Sequence, residues 1–276
     1  MMIRDCIHPL VKLILRFVFP YRIHELNSLY RMPDRSVIYA VNHQQSADSP
    51  MMCRIPPRRA IFLEGKQRLD FAGRLLCFLL GTITVDRKSK IDGMAAKKAL
   101  VAMLKERERD VVFFPEATWN LTPNLIMLPM KWGIVEIARE AGAQIIPVLL
   151  DYKEKEKRCD VIYGQPIVDE VKLSPKEAIQ YLRDTMATLR WKYYEEESVS
   201  RNPDIIRELR RQTYQRVLDY PPLEWGYEQS VIFRPHTPPE EVFDPIADIR
   251  NINASNIRSV LYAQRLVKQR HSTPKT

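Results

Sequence analysis

Val37-Ile38-Tyr39-Ala40-Val41 runs directly into Asn42-His43-Gln44-Gln45-Ser46-Ala47-Asp48. The first five residues form an apolar β-type run, and the next seven sit where a strand hands over to a helix. In an open α/β sheet, side chains at the carboxyl end of a strand point into the crevice where ligands bind. A carboxylate close to an imidazole fixes its tautomer and stabilises the imidazolium that forms when it takes a proton. His43 is therefore a candidate general base and Asp48 its orienter. No other histidine is followed five residues later by an aspartate: His8, His24, His236 and His271 lack that spacing.

Outward from this stretch, short β-type runs alternate with helical patterns. The runs are 37–41, 60–63, 82–85, 111–114, 145–149 and 161–163. The helical patterns fall near 71–80, 93–108, 131–141 and 175–195. Alternation of this kind predicts an α/β domain with a mixed, largely parallel sheet flanked by helices. The reading divides the chain into an N-terminal amphipathic helix at 1–30, a domain at 31–197 and a mainly helical extension at 198–276. That extension has a charged helix candidate at 203–218, a Pro-rich stretch at 221–245 and a further helix candidate at 255–268. Its role is not legible in the residues.

Composition narrows the partners. The 276 residues hold 43 Lys+Arg against 34 Asp+Glu, a formal charge of +9. Such an excess suits an anionic partner, whether a bilayer with acidic lipids, a phosphorylated substrate or an acidic carrier. No zinc-finger spacing or RNP-type aromatic motif accompanies it, which argues against nucleic acid. Cys6, Cys53, Cys77 and Cys159 lack metal-type spacing and read as reduced thiols.

Between Cys6 and Ile23 the chain is mostly apolar, but His8, Lys12 and Arg16 interrupt it at steps of four and fall on one helix face. No uncharged run approaches the ~20 residues of a spanning helix. Two readings follow: a helix lying in the membrane interface with its polar stripe toward headgroups, or a helix packed on the protein's own core. The first implies a peripheral or monotopic protein at the cytoplasmic face of a membrane, with anionic lipids as partners.

Three further blocks follow His43 and Asp48 in order: Gly81-Thr82-Ile83-Thr84-Val85-Asp86-Arg87, Phe113-Phe114-Pro115-Glu116-Ala117-Thr118, and Ile145-Ile146-Pro147-Val148. With Asn42-His43 and Asp48, this order and spacing resembles the glycerolipid acyltransferases, the 1-acylglycerol-3-phosphate acyltransferases and their relatives, over about residues 30–190. The resemblance implies transfer of a fatty acyl group from a thioester of coenzyme A or acyl carrier protein to a lysophospholipid hydroxyl, without metal or other cofactor. It implies catalysis by His43 and Asp48. It also implies acceptor binding by Gly81 and Arg87, whose guanidinium suits phosphate oxygens, and by Glu116, Ala117 and Thr118. The apolar fourth block reads as a core strand, with Pro147 implied to shape the acyl or donor side.

The third block departs from the family. The family has Gly after this Glu and commonly a basic residue shortly beyond Thr; here Ala117 stands first, and Trp119 and Asn120 follow Thr118. Ala takes a positive φ only at a cost, so the turn either keeps ordinary dihedrals or is strained. Lys131 stands where the family often has a Lys and supplies a candidate replacement charge, or is a surface helix residue. These departures leave two alternatives beside phosphatidic acid synthesis: the same chemistry on glycerol 3-phosphate or another lysolipid, and a non-catalytic peripheral membrane protein. No Ser stands in a Gly-x-Ser-x-Gly elbow, which favours direct attack by the acceptor over an acyl-serine intermediate.

Overall fold

The computed structural model describes residues 3–31, 34–56, 60–65, 75, 77–78, 82–86, 89–107, 109–120 and 126–197, with Arg207, Arg211 and Gln215 beyond them. Seven strands among these residues form one sheet: β1 (Arg22–Glu25), β2 (Val37–Val41), β3 (Ala60–Gly65), β4 (Ile83–Val85), β5 (Asp110–Phe113), β6 (Gln144–Lys153) and β7 (Arg158–Tyr163). Their spatial order is β1-β7-β6-β2-β5-β3-β4. From β6 to β4 every pairing is parallel; β7 turns back antiparallel on β6, and β1 lies parallel to β7. The expected mixed, largely parallel sheet is what forms.

β2 takes the centre because all five of its side chains are buried. The pleat sends them alternately to two cores. Ile38 and Ala40 join one core with Leu100 and Leu104 of α3 (Lys90–Lys105), Ile134 and Ala138 of α4 (Gly133–Ala141), and Leu182 and Met186 of α5 (Pro175–Glu196). Val37, Tyr39 and Val41 join the other with Val11 and Leu15 of α1 (Ile3–Val18) and Met51 and Met52 of α2 (Asp48–Arg54). A strand covered on both faces by helices needs this continuous apolar run rather than strict alternation.

The chain leaves β2 through α2 toward β3, skipping a slot that β5 later fills, whereas β6 is added on the other side. The carboxyl end of β2 is thus the point where the strand order reverses, the usual ligand crevice of such sheets. Local signals set the helix ends. Ser89 accepts from Asp92 N–H at 3.2 Å at the start of α3, Ser174 and Glu177 form a capping box at the start of α5, and Gly142 at φ 65° ends α4.

α1 packs on the protein's own core along one face and leaves another apolar face exposed. Val11 and Leu15 are buried against α2, while Leu10, Leu13, Ile14, Phe17 and Val18 are exposed. Lys12 does not face outward with the polar stripe: its ammonium donates to the Pro56 carbonyl at 3.1 Å, because its neighbour Val11 draws that side of the helix against the protein. Among the described residues no helix is long and apolar enough to cross a membrane. Cys53, Cys77 and Cys159 are free thiols. Of the C-terminal extension, Arg207, Arg211 and Gln215 are helical, and the rest lies outside the described residues.

Candidate active site

The backbone beyond β2 is fixed before any side chain reaches solvent. Asn42 continues the strand ladder with its side chain, donating from Nδ2 to Leu150 O at 3.1 Å and accepting Leu150 N–H on Oδ1 at 2.7 Å. Gln44 Nε2 also donates to Leu150 O. His43, between them, is gripped by the loop after β5: its own N–H donates to Glu116 Oε1 at 3.2 Å, and its carbonyl accepts Asn120 N–H at 2.8 Å. Asn42 thereby braces the turn that presents His43.

The predicted pair is in contact. His43 Nδ1 lies 2.8 Å from Asp48 Oδ2. An ionised carboxylate only accepts, so Nδ1 carries the hydrogen and Nε2 is left as the acceptor. Asp48 opens α2 and is fully buried. Its charge is met by three more donors: Gln44 N–H at 2.6 Å and Gln45 N–H at 2.9 Å on Oδ2, and the Tyr152 hydroxyl at 2.7 Å on Oδ1. Four donors match the roughly four acceptor sites of a carboxylate, which is what a buried charge requires. The imidazole stacks on the Phe114 ring, with centroids 4.5 Å apart and planes 26° apart, and meets the edge of Trp119 at 6.0 Å. Those rings hold its plane while the His43 side chain keeps 20% of its surface open to solvent.

Glu116 stands behind the base. Both of its oxygens accept backbone N–H groups, Oε1 from His43 and Oε2 from Leu128 at 2.8 Å. Burial pushes this carboxyl above its ordinary range, partly offset by the Leu128 amide, the nearby charge of Arg190 and the His43 amide. Arg190 on α5 donates to the Ile126 carbonyl at 2.8 Å, and buried Arg183 reaches the Met127 carbonyl at 3.4 Å. The helix thus steadies the segment that steadies Glu116. Beyond the acceptor contact expected from sequence, this residue clamps the main chain of the base.

Ala117 adopts φ 59°, the left-handed conformation, so the strained alternative for this turn is the one realised. Its N–H donates to the Phe114 carbonyl at 3.0 Å. Thr118 is buried in the same loop, and Lys131 is tied to it through its N–H, which donates to Pro115 O at 2.8 Å. Gly81 and Arg87 lie outside the described residues. β4, which falls between them in the sequence, runs parallel with β3, β5 and β2, so its carboxyl end faces the same way as the end bearing His43.

A family model described as acyltransferase matches residues 21–151. These residues form an acyltransferase-family domain. The match runs from just before β1 to Asp151 within β6 and includes His43, Asp48 and Glu116. Over 173 residues the chain is 30% identical to the human 1-acyl-sn-glycerol-3-phosphate acyltransferase alpha, covering 58% of this chain and 60% of that protein. It is 27% identical over 156 residues to the Salmonella typhimurium 1-acyl-sn-glycerol-3-phosphate acyltransferase, covering 56% and 62%. The aligned part thus spans about three fifths of these relatives. The crystal structure of the 1-acyl-sn-glycerophosphate (LPA) acyltransferase PlsC from Thermotoga maritima superposes with a TM-score of 0.53 at 16% identity, over 71% of this chain and 82% of that one. That likeness concerns the fold.

Proposed function

We propose that this acyltransferase-family chain is an O-acyltransferase acting on a lysophospholipid, with 1-acylglycerol 3-phosphate as acceptor and phosphatidic acid as product. The observation that carries this reading is the imidazole of His43, oriented through Nδ1 by a fully buried carboxylate and open to solvent beside it. His43 Nε2 takes the proton of the acceptor hydroxyl while that oxygen attacks the thioester carbonyl carbon. The tetrahedral intermediate collapses with cleavage of the carbon–sulfur bond, and the leaving sulfur takes up the proton held by the imidazolium. The donor is an acyl thioester of coenzyme A or acyl carrier protein, and Asp48 holds the imidazole through both transfers. Arg87, with Gly81 shaping its block, receives the acceptor's phosphate in this reading, and Lys131 adds charge from the loop at Pro115.

The acceptor is a lipid, and α1 offers a means of meeting it. Among the described residues, five large apolar side chains are exposed along that helix, Phe17 to 75%. A face of this kind, on a chain with a net charge of +9, supports a peripheral seat on an anionic bilayer. Its buried face packs on α2, the helix that Asp48 opens.

A specific observation keeps the acceptor open: Trp119 packs against His43 in the block that departs from the family at Ala117 and Asn120. Purified full-length chain, incubated with acyl-coenzyme A or acyl carrier protein and a panel of acceptors in anionic vesicles, tests both points. Thiol release with 1-acylglycerol 3-phosphate at the highest kcat/KM supports the reading. A higher value for another lysolipid or for glycerol 3-phosphate reassigns the acceptor, and no release with any acceptor overturns the function.

A further inference from the structure

We infer that Tyr152, which belongs to none of the four sequence blocks, is a positioning residue that tunes the proton affinity of His43 through Asp48. The inference rests on the reading of His43 as the base. Tyr152 lies on β6, 104 residues from Asp48, and its hydroxyl donates to Asp48 Oδ1 at 2.7 Å. The other three donors, His43 Nδ1 and the N–H groups of Gln44 and Gln45, all meet Oδ2. Tyr152 thus holds the far oxygen, and it sets both the rotation of the carboxylate and the share of charge left on Oδ2.

Its donor role is fixed by its surroundings. Burial, reinforced by the charge of Asp48, holds the Tyr152 phenol well above its ordinary range, so it stays protonated and donates. The ring is wedged by Tyr21 from the turn after α1, edge-on at 5.1 Å, and Tyr21 is itself tied by its hydroxyl to Glu154 Oε1 at 2.7 Å. Among the described residues, the other titratable groups facing the pair are Glu116, which accepts the His43 N–H, and Cys159 of β7, a buried thiol whose pKa is likewise pushed up. Neither donates a hydrogen bond to Asp48.

The sign follows from charge sharing. A donor on Oδ1 is held more strongly when Asp48 faces a neutral imidazole than when an imidazolium already neutralises it. Removing the donor therefore penalises the neutral-imidazole state more and raises the proton affinity of His43. Less of the base is then free at neutral pH, and the carboxylate is freer to rotate.

The test is the pH dependence of kcat for the full chain on vesicles, comparing wild type, Tyr152→Phe and His43→Ala, with thermal melting as a check on folding. Tyr152→Phe is expected to lower kcat about tenfold, as for one lost hydrogen bond to a charged group, to leave KM for the thioester within about twofold, and to move the acid limb of the profile to higher pH. Tyr152→3-fluorotyrosine, a stronger donor with nearly the same shape, should move the limb the other way, and it serves if the Phe variant does not fold. Wild-type kcat and an unmoved limb in both Tyr152 variants, with His43→Ala inactive, overturn the positioning role while the base assignment stands. Wild-type turnover by His43→Ala removes the base assignment and this inference with it.

Discussion

Replacing Ala117 with glycine should stabilise this protein, the reverse of what an Ala→Gly change does in a helix or strand. Ala117 sits at φ 59°. Holding an L-residue in the left-handed region costs about 1–2 kcal/mol, and glycine adopts it without that penalty. Against this, glycine adds freedom to the unfolded chain worth about 0.4–1 kcal/mol. Taken at mid-range, the difference leaves a net gain of about 0.8 kcal/mol, which for a domain of this size raises Tm by about 2–3 °C. The turn's hydrogen bond from Ala117 N–H to Phe114 O is main-chain and survives the change. Thermal and urea unfolding of Ala117→Gly beside wild type provide the assay. A fall in Tm or urea midpoint would refute the reasoning, because it would mean that the methyl group contributes more by packing than the conformation costs.

Glu116→Gln puts an amide NH₂ where one of two backbone N–H groups needs an acceptor, His43 or Leu128. An unsatisfied buried donor costs about 1–3 kcal/mol; denaturation should show that loss, with kcat falling as the grip on His43 loosens. Asp48→Asn removes the charge that fixes the imidazole tautomer, and kcat should drop by about 10²–10⁴ with KM for the thioester little changed, read from initial rates of thiol release. On α1, Leu13→Ser with Phe17→Glu removes two exposed apolar side chains. Each is worth about 1.5–3 kcal/mol when buried, so sedimentation with anionic vesicles should fall by tenfold or more; undiminished sedimentation would remove α1 as the membrane contact.

Much of the sheet was legible because it depends on local pattern. The apolar runs at 37–41, 111–114 and 145–149 coincide with β2, β5 and β6, and the predicted helices at 131–141 and 175–195 with α4 and α5. β1 escaped because Arg22-Ile23-His24-Glu25 has one apolar residue and pairs at an edge, where β7 supplies the hydrogen bonds rather than side-chain burial. α2 escaped because its seven residues are too few for a helical period to stand out. At the site, His43 and Asp48 were readable because they stand only five positions apart in the chain. Tyr152 and Arg190 were not, being brought in from β6 and α5 by the fold alone, with no spacing that marks them. The tension at Ala117 was visible as a choice between two backbones, and only the loop gripping His43 decided it.

The central claim is that His43 Nε2, with Asp48 behind it, removes the proton from a lipid alcohol as that alcohol attacks a thioester. The most direct measurement is kcat for thiol release by purified His43→Ala at saturating acyl thioester and 1-acylglycerol 3-phosphate. Loss of the base should lower kcat by about 10²–10⁴ while Tm and vesicle binding stay at wild-type values. Turnover within a few-fold of wild type would contradict the account.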